Sequence, residues 1–236
     1  MPYYSSFPKK SFDTKIDGIV KNLKAAKKSD VSTNLREYAI AASIFLSHAE
    51  TENYLMDVVD SLAQTLATTL PNSSKLPLNL KSHLLVAGLN LPYVSQLMSQ
   101  KDELKTLSSI NKWFSTPSVC FFDESKALMS LTGKQIYINK KYPSLSNIEV
   151  VMARLGINKM SDQLNKVAKK DIVSLYESFG DLRTDLAHNA SLPNSSCDDI
   201  IKNLSDLKQF VACIDKILFS NYSKIIGVSN WKTKLC

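Results

Sequence analysis

The residues best suited to chemistry lie in one short segment, residues 181–190 (DLRTDLAHNA). The segment contains Arg183 and His188, in a chain that has only three arginines and three histidines. A histidine can transfer protons near neutral pH, and an arginine can hold phosphate oxygens with two N–H groups. Together they could cleave RNA without a metal ion: the histidine removes a proton from the 2′-hydroxyl, and the arginine stabilises charge on the phosphate. We therefore take Arg183 and His188 as the candidate catalytic residues.

Neighbouring polar residues could position this pair. Thr184 lies four residues before His188, and therefore on the same helix face, so that its hydroxyl could orient the imidazole. Asp185 and Asp181 precede His188 by three and seven residues and could do the same. The alternative without chemistry is an ion pair between Arg183 and Asp185 or Asp181 at the helix end.

The spacing of the pair poses a geometric problem. On a regular helix, five residues turn Arg183 about 140° away from His188. Two solutions remain open: the last helical turn unwinds at Asn189, or the two side chains converge from two copies of the chain across a dimer axis.

Most signatures of cofactor or metal chemistry are absent from the sequence. The 6 glycines stand singly, so the chain lacks a glycine-rich phosphate loop. The cysteines are far apart and have no histidine nearby: Cys120, Cys197, Cys213 and Cys236. We therefore expect free thiols, no cofactor and no metal site.

Composition indicates a globular chain. Apolar residues make up 44% of the 236 residues and charged residues 22%, which argues against wholesale disorder. No apolar run approaches the roughly 20 residues of a membrane helix, and the first residues lack the apolar stretch of a secretory signal. We therefore expect one cytoplasmic domain, residues 1–236, without membrane contact. The net charge of +7 favours an anionic partner such as nucleic acid.

Hydrophobic periodicity predicts an all-α helical bundle. We expect helices at about 12–28, 33–69, 78–91, 102–114, 144–155, 171–188 and 197–222. Residues 118–123 and 135–139 are expected to form a small extended pair inserted between the two helical halves. In the helix that carries the candidate site, four residues are expected to face the core: Leu175, Phe179, Leu182 and Leu186. A frayed, flexible tail is expected over 228–236.

The helix predicted at 33–69 carries a row of residues at three- and four-residue steps: Ala41, Phe45, His48, Glu52, Leu55, Val59, Leu62 and Leu66. Such steps place the row on one helix face. His48 and Glu52 are its polar members, and a buried polar group without a hydrogen bond costs a few kcal/mol, roughly. Two interpretations stay open for this pair: a structural polar contact inside the bundle, or support of an active site.

A second group of residues is a candidate for contact with nucleic acid. Lys140, Lys141 and Tyr142 combine two cations with an aromatic ring, a set that suits the edge of an RNA site. Trp113 and Phe114 could stack on bases, but we expect them to form a core pair.

Three stretches of the sequence resemble one known family. Residues 182–189 (LRTDLAHN) resemble the Arg-x4-His motif of HEPN domains, often written with Leu or Ile, Arg-Asn, and then Ala-His-Gly. Residues 45–55 (FLSHAETENYL) resemble the first long helix of the branch called RiboL-PSP-HEPN, in which a glutamate precedes an aromatic residue, here Glu52 and Tyr54. Residues 146–158, which end in Arg-Leu-Gly-Ile-Asn, are similar to the short helix and turn that often precede the motif helix.

The resemblance covers roughly residues 33–222 and implies an all-α HEPN domain. It implies a homodimer in which two Arg-x4-His motifs face each other in a cleft. It further implies an endoribonuclease that works without metal and leaves a 2′,3′-cyclic phosphate, often as a toxin or anti-phage effector that arrests growth. RNA would then be the substrate, and an antitoxin or sensor protein a further partner. The competing hypothesis is a catalytically inactive helical module that binds RNA or protein or has a regulatory role.

By position in the motif, Arg183 and His188 would be catalytic, and Glu52 would correspond to the family's helix glutamate near the site. The sequence departs from the family pattern at Thr184, which replaces the commoner asparagine and offers fewer hydrogen bonds. It departs again at Asn189, which replaces glycine but tolerates a left-handed cap. One toxin–antitoxin branch carries a modified tyrosine where this chain has Ala190, so that partner mechanism is not expected.

Overall fold

A computed structural model describes residues 2–88, 121–189 and 195–236. The helices are α1 Phe7–Ala26, α2 Thr33–Thr69, α3 Leu78–Gly88, α4 Gly133–Tyr137, α5 Leu145–Arg154, α6 Met160–Ala168, α7 Ile172–Asn189, α8 Cys197–Ile226 and α9 Val228–Lys234. A 3₁₀ turn, Ser73–Lys75, follows α2. Within these three ranges the chain forms no strand, which confirms the all-α class. None of the described helices is long and apolar enough to cross a membrane.

The four long helices α1, α2, α7 and α8 pack around one core, as the periodicity predicted. Helix α8 is the central element and contacts α1, α2, α6, α7 and α9. Its buried apolar residues recur at helical spacing: Ile200, Leu204, Leu207, Val211, Ile214 and Leu218. Serine hydroxyls cap four of the described helices by accepting a backbone N–H of the first turn: Ser6 for α1, Ser32 for α2, Ser144 for α5 and Ser196 for α8.

A buried carboxylate ties the N-terminal segment to α8. Asp215 is 0% exposed and accepts hydrogen bonds from the hydroxyl of Tyr3 (2.6 Å), from the hydroxyl of Tyr54 (3.3 Å), and from the backbone N–H and hydroxyl of Ser6 (3.0 and 2.5 Å). Burial, reinforced by the negative charge of Asp215, raises the pKa of both tyrosines above the ordinary range. The donors therefore stay protonated, and the carboxylate stabilises the contact between the ends of the chain.

The predicted extended pair is not formed. Residues 135–139 begin inside α4, whose start is fixed by Gln135 Oε1 accepting the backbone N–H of Thr132 at 2.9 Å. Gly133 donates its N–H to Asp60 Oδ1 on α2 at 2.7 Å, and a Cβ at Gly133 would lie 2.7 Å from the Asp60 backbone. This contact with α2 selects a helical turn over the strand that the local residues favour. Part of the other predicted strand, residues 118–120, and the helix predicted at 102–114 with Trp113 and Phe114 lie outside the described residues.

The expected frayed tail is instead an ordered helix, α9. Trp231 is 0% exposed, packs edge-on against Phe219 with ring centroids 5.3 Å apart, and donates its indole N–H to the Tyr4 carbonyl at 3.0 Å. Lys234 reaches the hydroxyls of Thr68 and Thr69 at the end of α2. The lysines that suggested a solvated tail lie on the outer side of a helix whose inner side completes the core.

Candidate functional site

Helix α7 carries both candidate catalytic residues. It begins after Asp171, whose carboxylate accepts the N–H and hydroxyl of Ser174, and it continues without a break through Asn189. The alternative in which the last turn unwinds at Asn189 is therefore wrong. Within one chain, Arg183 and His188 lie about 140° apart around a regular helix. His188 is exposed and Arg183 is half-buried.

Arg183 differs from the other two arginines in its surroundings. Arg36 donates to the carbonyls of Ala26 at the end of α1 and of Lys28 and Val31 in the loop that follows, at 3.2 to 3.3 Å. Arg154 donates to two carbonyls at the end of α4, at 2.7 and 3.1 Å. Both guanidinium groups thus satisfy helix C-termini.

The guanidinium of Arg183 instead lies over two aromatic rings, with its Cζ 5.1 Å from the ring centre of Tyr142 and 5.9 Å from that of Phe45. It makes no hydrogen bond and no ion pair to any described residue, Asp181 and Asp185 included. The predicted ion-pair alternative is therefore not formed. Two rings hold the cation in place by cation–π attraction and leave its N–H groups for another partner.

Phe45 belongs to the row predicted on α2, yet it is 40% exposed. The buried face of this half of α2 is displaced from most of that row but includes its member His48. The buried residues are Ile40, Ser43, Ile44, Ser47, His48, Thr51, Tyr54 and Val58. Leu175 on α7, predicted to face the core, is also 40% exposed, whereas Phe179 and Leu186 are buried as predicted. The exposure of Phe45 makes its ring available to Arg183.

His48 is 7% exposed and is held by Phe179 of α7. The two rings stack 5.1 Å apart at 13°, and the imidazole Nε2 lies 3.4 Å from the Phe179 carbonyl. Its Nδ1 has no hydrogen-bond partner among the described residues. His48 therefore does not form the polar pair with Glu52 that was one interpretation, since its hydrogen bond goes to α7. Glu52 is half-buried on the same side of α2 and makes no hydrogen bond to a described residue.

A groove of about 280 Å³ runs along α7 and is bordered by Tyr142, one of the two rings beneath Arg183. Its walls come from α2, from the loop that leads into α5, and from α7: His48, Tyr142, Pro143, Ser144, Leu145, Ser146, Tyr176, Glu177, Gly180, Asp181 and Thr184. Tyr176 donates its hydroxyl to the Pro143 carbonyl and stacks on Phe210 of α8 with ring centroids 3.9 Å apart. The wall opposite α7 is thereby fixed to the core.

The nucleic-acid candidates predicted from the sequence border this groove. Tyr142 lines it on one side and, together with Lys140 and Lys141, lines a much smaller crevice of about 20 Å³ against Leu55 of α2. Arg183, Tyr142 and the two lysines, chosen from separate parts of the sequence, thus occupy one surface.

Thr184 also lines the groove, but its hydroxyl donates to the Gly180 carbonyl at 3.1 Å. Its proton is therefore used within α7 and is not donated to His188. Four residues share one face of the helix at steps of four, three and four: Glu177, Asp181, Thr184 and His188. His188 thus continues the groove face of α7, while Asp185 is exposed outside the residues that line the groove.

In the three described ranges, no group of three or more His, Cys, Asp or Glu is arranged to hold a metal ion. Cys197 and Cys213 are buried and free, and Cys236 is half-buried and free. Cys120 lies outside the described residues.

The stability of the fold should depend on pH through His48. Burial lowers the pKa of its imidazole; the Phe179 carbonyl partly opposes this, and the charge of Arg183 lowers the pKa further. The unfolded chain therefore binds more protons, and the free energy of unfolding falls as the pH drops below about 6.5, the ordinary pKa of histidine.

Burial likewise lowers the pKa of His83, so both proteins in the experiment carry His83→Gln. Urea denaturation from pH 8 to 5 should show a shallower decrease for the double variant His83→Gln, His48→Gln than for His83→Gln alone. Parallel curves would contradict the burial of a neutral His48.

A comparison with protein families identifies the family of this chain. A family model described as RiboL-PSP-HEPN matches residues 13–220, which include most of α1, all of α2 to α7 and most of α8. A search of curated proteins and a search of solved structures gave no match. Because the family match covers most of the chain and contains the candidate site, the protein belongs to the RiboL-PSP-HEPN family.

Proposed function

We propose that the protein is a metal-independent endoribonuclease that cuts single-stranded or looped RNA. The 2′-hydroxyl attacks the adjacent phosphate, the 5′-oxygen of the next nucleotide leaves, and a 2′,3′-cyclic phosphate and a 5′-hydroxyl result. His188 transfers the protons, Arg183 stabilises the charge on the phosphate oxygens, and Thr184, Glu52, Asp185 and His48 support the site. Family membership points to an RNA-related or toxin-like role at this coarser level.

The observation that carries the proposal is the position of Arg183. A guanidinium that served only the fold would bond to carbonyls or carboxylates, as Arg36 and Arg154 do. Arg183 is oriented by two rings that are each about 40% exposed, Phe45 (40%) and Tyr142 (41%), and keeps its donors unused within the described chain. An oriented cation of this kind suits the equatorial oxygens of a phosphate in the transition state.

The same geometry supports our proposal of a homodimer with a composite site. On an unbroken α7, Arg183 and His188 point in different directions. Within one chain, both side chains would have to extend around the helix to meet at one phosphate. Helix α2 also exposes four large apolar side chains along one face, between residues 35 and 46: Leu35 (59%), Tyr38 (70%), Phe45 (40%) and Leu46 (53%). Covering this face with a second copy would bury apolar area and bring a second Arg-x4-His motif to the same cleft.

The test is cleavage of total RNA by the purified protein in EDTA. We expect fragments that end in a 2′,3′-cyclic phosphate, and no fragments from the double variant Arg183→Ala, His188→Ala. RNA that is bound but left intact by the wild-type protein would favour the inactive binding module instead.

We also propose a cytoplasmic growth-arrest role, in toxin–antitoxin or anti-phage defence, restrained or triggered by an antitoxin or sensor protein. Induced expression of the wild-type protein should then arrest growth, and the double variant should not. Arrest that persists in the double variant would point to a cause other than RNA cleavage.

A further inference from the structure

The floor of the groove along α7 is a glycine that the fold does not require. Gly180 lies in the middle of α7, where glycine weakens a helix relative to alanine. A Cβ at this position would meet nothing within 4 Å, and Gly180 does not have a positive φ. Neither packing nor backbone conformation explains the residue. Its lack of a side chain keeps the groove deep.

Three side chains that line the groove offer hydrogen-bond acceptors without a partner among the described residues. Glu177 and Asp181 stand one turn apart on its rim, and neither carboxylate bonds to a described residue. His48 lines the same groove and is 93% buried, since only 7% of its surface is exposed. Its Nε2 faces a carbonyl and so carries the proton of the neutral ring, which leaves the unpartnered Nδ1 as an acceptor.

These groups select the chemistry of a ligand. A phosphate is repelled by the two carboxylates, so the RNA backbone belongs on the Arg183 side of Tyr142. A nucleobase fits better, since the volume of about 280 Å³ lies just below the range of roughly 300–1,000 Å³ typical of small-molecule pockets. Uracil presents a single N–H between two carbonyl oxygens on its Watson–Crick edge, whereas guanine presents two adjacent N–H donors that match one carboxylate.

We infer that the groove over Gly180 binds a guanine base of single-stranded RNA beside the phosphate held by Arg183, an inference that rests on the proposed ribonuclease function. Asp181, with Glu177 next to it, accepts the N1–H and N2–H groups of the base, and the half-exposed ring of Tyr142 borders the bound base. The site gives the enzyme a preference for cutting next to guanine.

Binding can be measured separately from cleavage by using His188→Ala. Four fluorescent adenine-rich hexanucleotides, each with one central G, A, C or U, are titrated by anisotropy. We expect the G oligonucleotide to bind about tenfold or more tightly than the U oligonucleotide, the size of one good bidentate contact. Adding Asp181→Asn should remove most of this ratio, because an amide offers one acceptor in place of two. Asp162→Asn, which removes an exposed charge on α6, is the control and should leave the ratio intact.

Gly180→Ala provides a second test that misfolding cannot mimic. We expect the melting temperature to stay equal or rise while the preference for G falls, because the methyl group fills the floor of the groove. Gly18→Ala on α1, where a Cβ also meets nothing within 4 Å, should raise stability without changing the preference.

Equal affinity for the four oligonucleotides would overturn the inference, as would an arginine-containing peptide whose binding depends on Asp181 while RNA binding does not. Cleavage mapping with the wild-type protein separates the two proposals. Cuts without a G preference overturn the base site alone. A G preference in binding without any cleavage overturns the ribonuclease and leaves the groove as a guanine-binding site.

Discussion

Replacing His188 by alanine is expected to reduce the rate of RNA cleavage about 10²- to 10⁴-fold, the usual contribution of a general acid or base. His188 is exposed at the end of α7, so the melting temperature should stay within the range of a surface substitution. His83→Ala is the matched control: its imidazole Nε2 lies 2.8 Å from the Gln135 carbonyl, away from the groove, and its loss should leave the cleavage rate nearly unchanged. A fully active His188→Ala protein would contradict the assignment.

Replacing Arg183 is also expected to reduce the rate of RNA cleavage. Arg183→Ala should lower the rate about 10²- to 10³-fold, as does the loss of a single transition-state donor in other enzymes. Arg183→Lys keeps the charge but not the planar pair of donors or the contact with both rings, so it should recover only a small part of the rate. Rates of single-turnover cleavage at saturating enzyme separate this loss from weaker RNA binding.

Replacing Asp215 by alanine is expected to lower the free energy of unfolding by roughly 2–4 kcal/mol. The substitution leaves the hydroxyls of Tyr3 and Tyr54 and the backbone N–H of Ser6 without their buried acceptor, and it releases the N-terminal segment from α8. Asp215→Asn, which keeps an acceptor oxygen, should lose less.

Asp206→Ala on the same helix is the control for this experiment. Asp206 pairs with Lys170 at 2.6 Å in a partly exposed site, and such a pair contributes about 0–1 kcal/mol. Urea denaturation measures both variants. Losses of equal size in Asp215→Ala and Asp206→Ala would show that the buried network stabilises the fold no more than a partly exposed ion pair does.

The long helices could be predicted because each has a recognisable pattern within its own sequence. In α2 and α8, apolar residues recur at helical spacing and a serine precedes the first turn. Helices α4 and α9 are too short to show this periodicity, although Thr132 and Gln135 have the spacing of a capping box at the start of α4. The first depends on a contact between Gly133 and Asp60 across 73 residues, and the second on Trp231 reaching Tyr4. Contacts so distant in sequence leave no periodic pattern.

The candidate site could be predicted in part. Rarity and helix-end position singled out Arg183 and His188, and the family match contains both. The contacts of Arg183 with Phe45 and Tyr142 could not be found this way, because Phe45 fits an apolar row and Tyr142 was a candidate only for contact with RNA. Gly180 could have indicated the groove. A glycine inside an amphipathic helix lowers its stability, and no neighbouring atom would contact a Cβ at this position.

Pairing two inactive variants tests most directly whether Arg183 of one copy acts with His188 of another. Arg183→Ala and His188→Ala chains, co-expressed with different affinity tags and purified through both, form a heterodimer with one complete site and one site that lacks both groups. We expect about half of the wild-type cleavage rate, since one of two symmetric sites is intact. A heterodimer as inactive as either parent, or the failure of the two chains to purify together, would contradict the composite site.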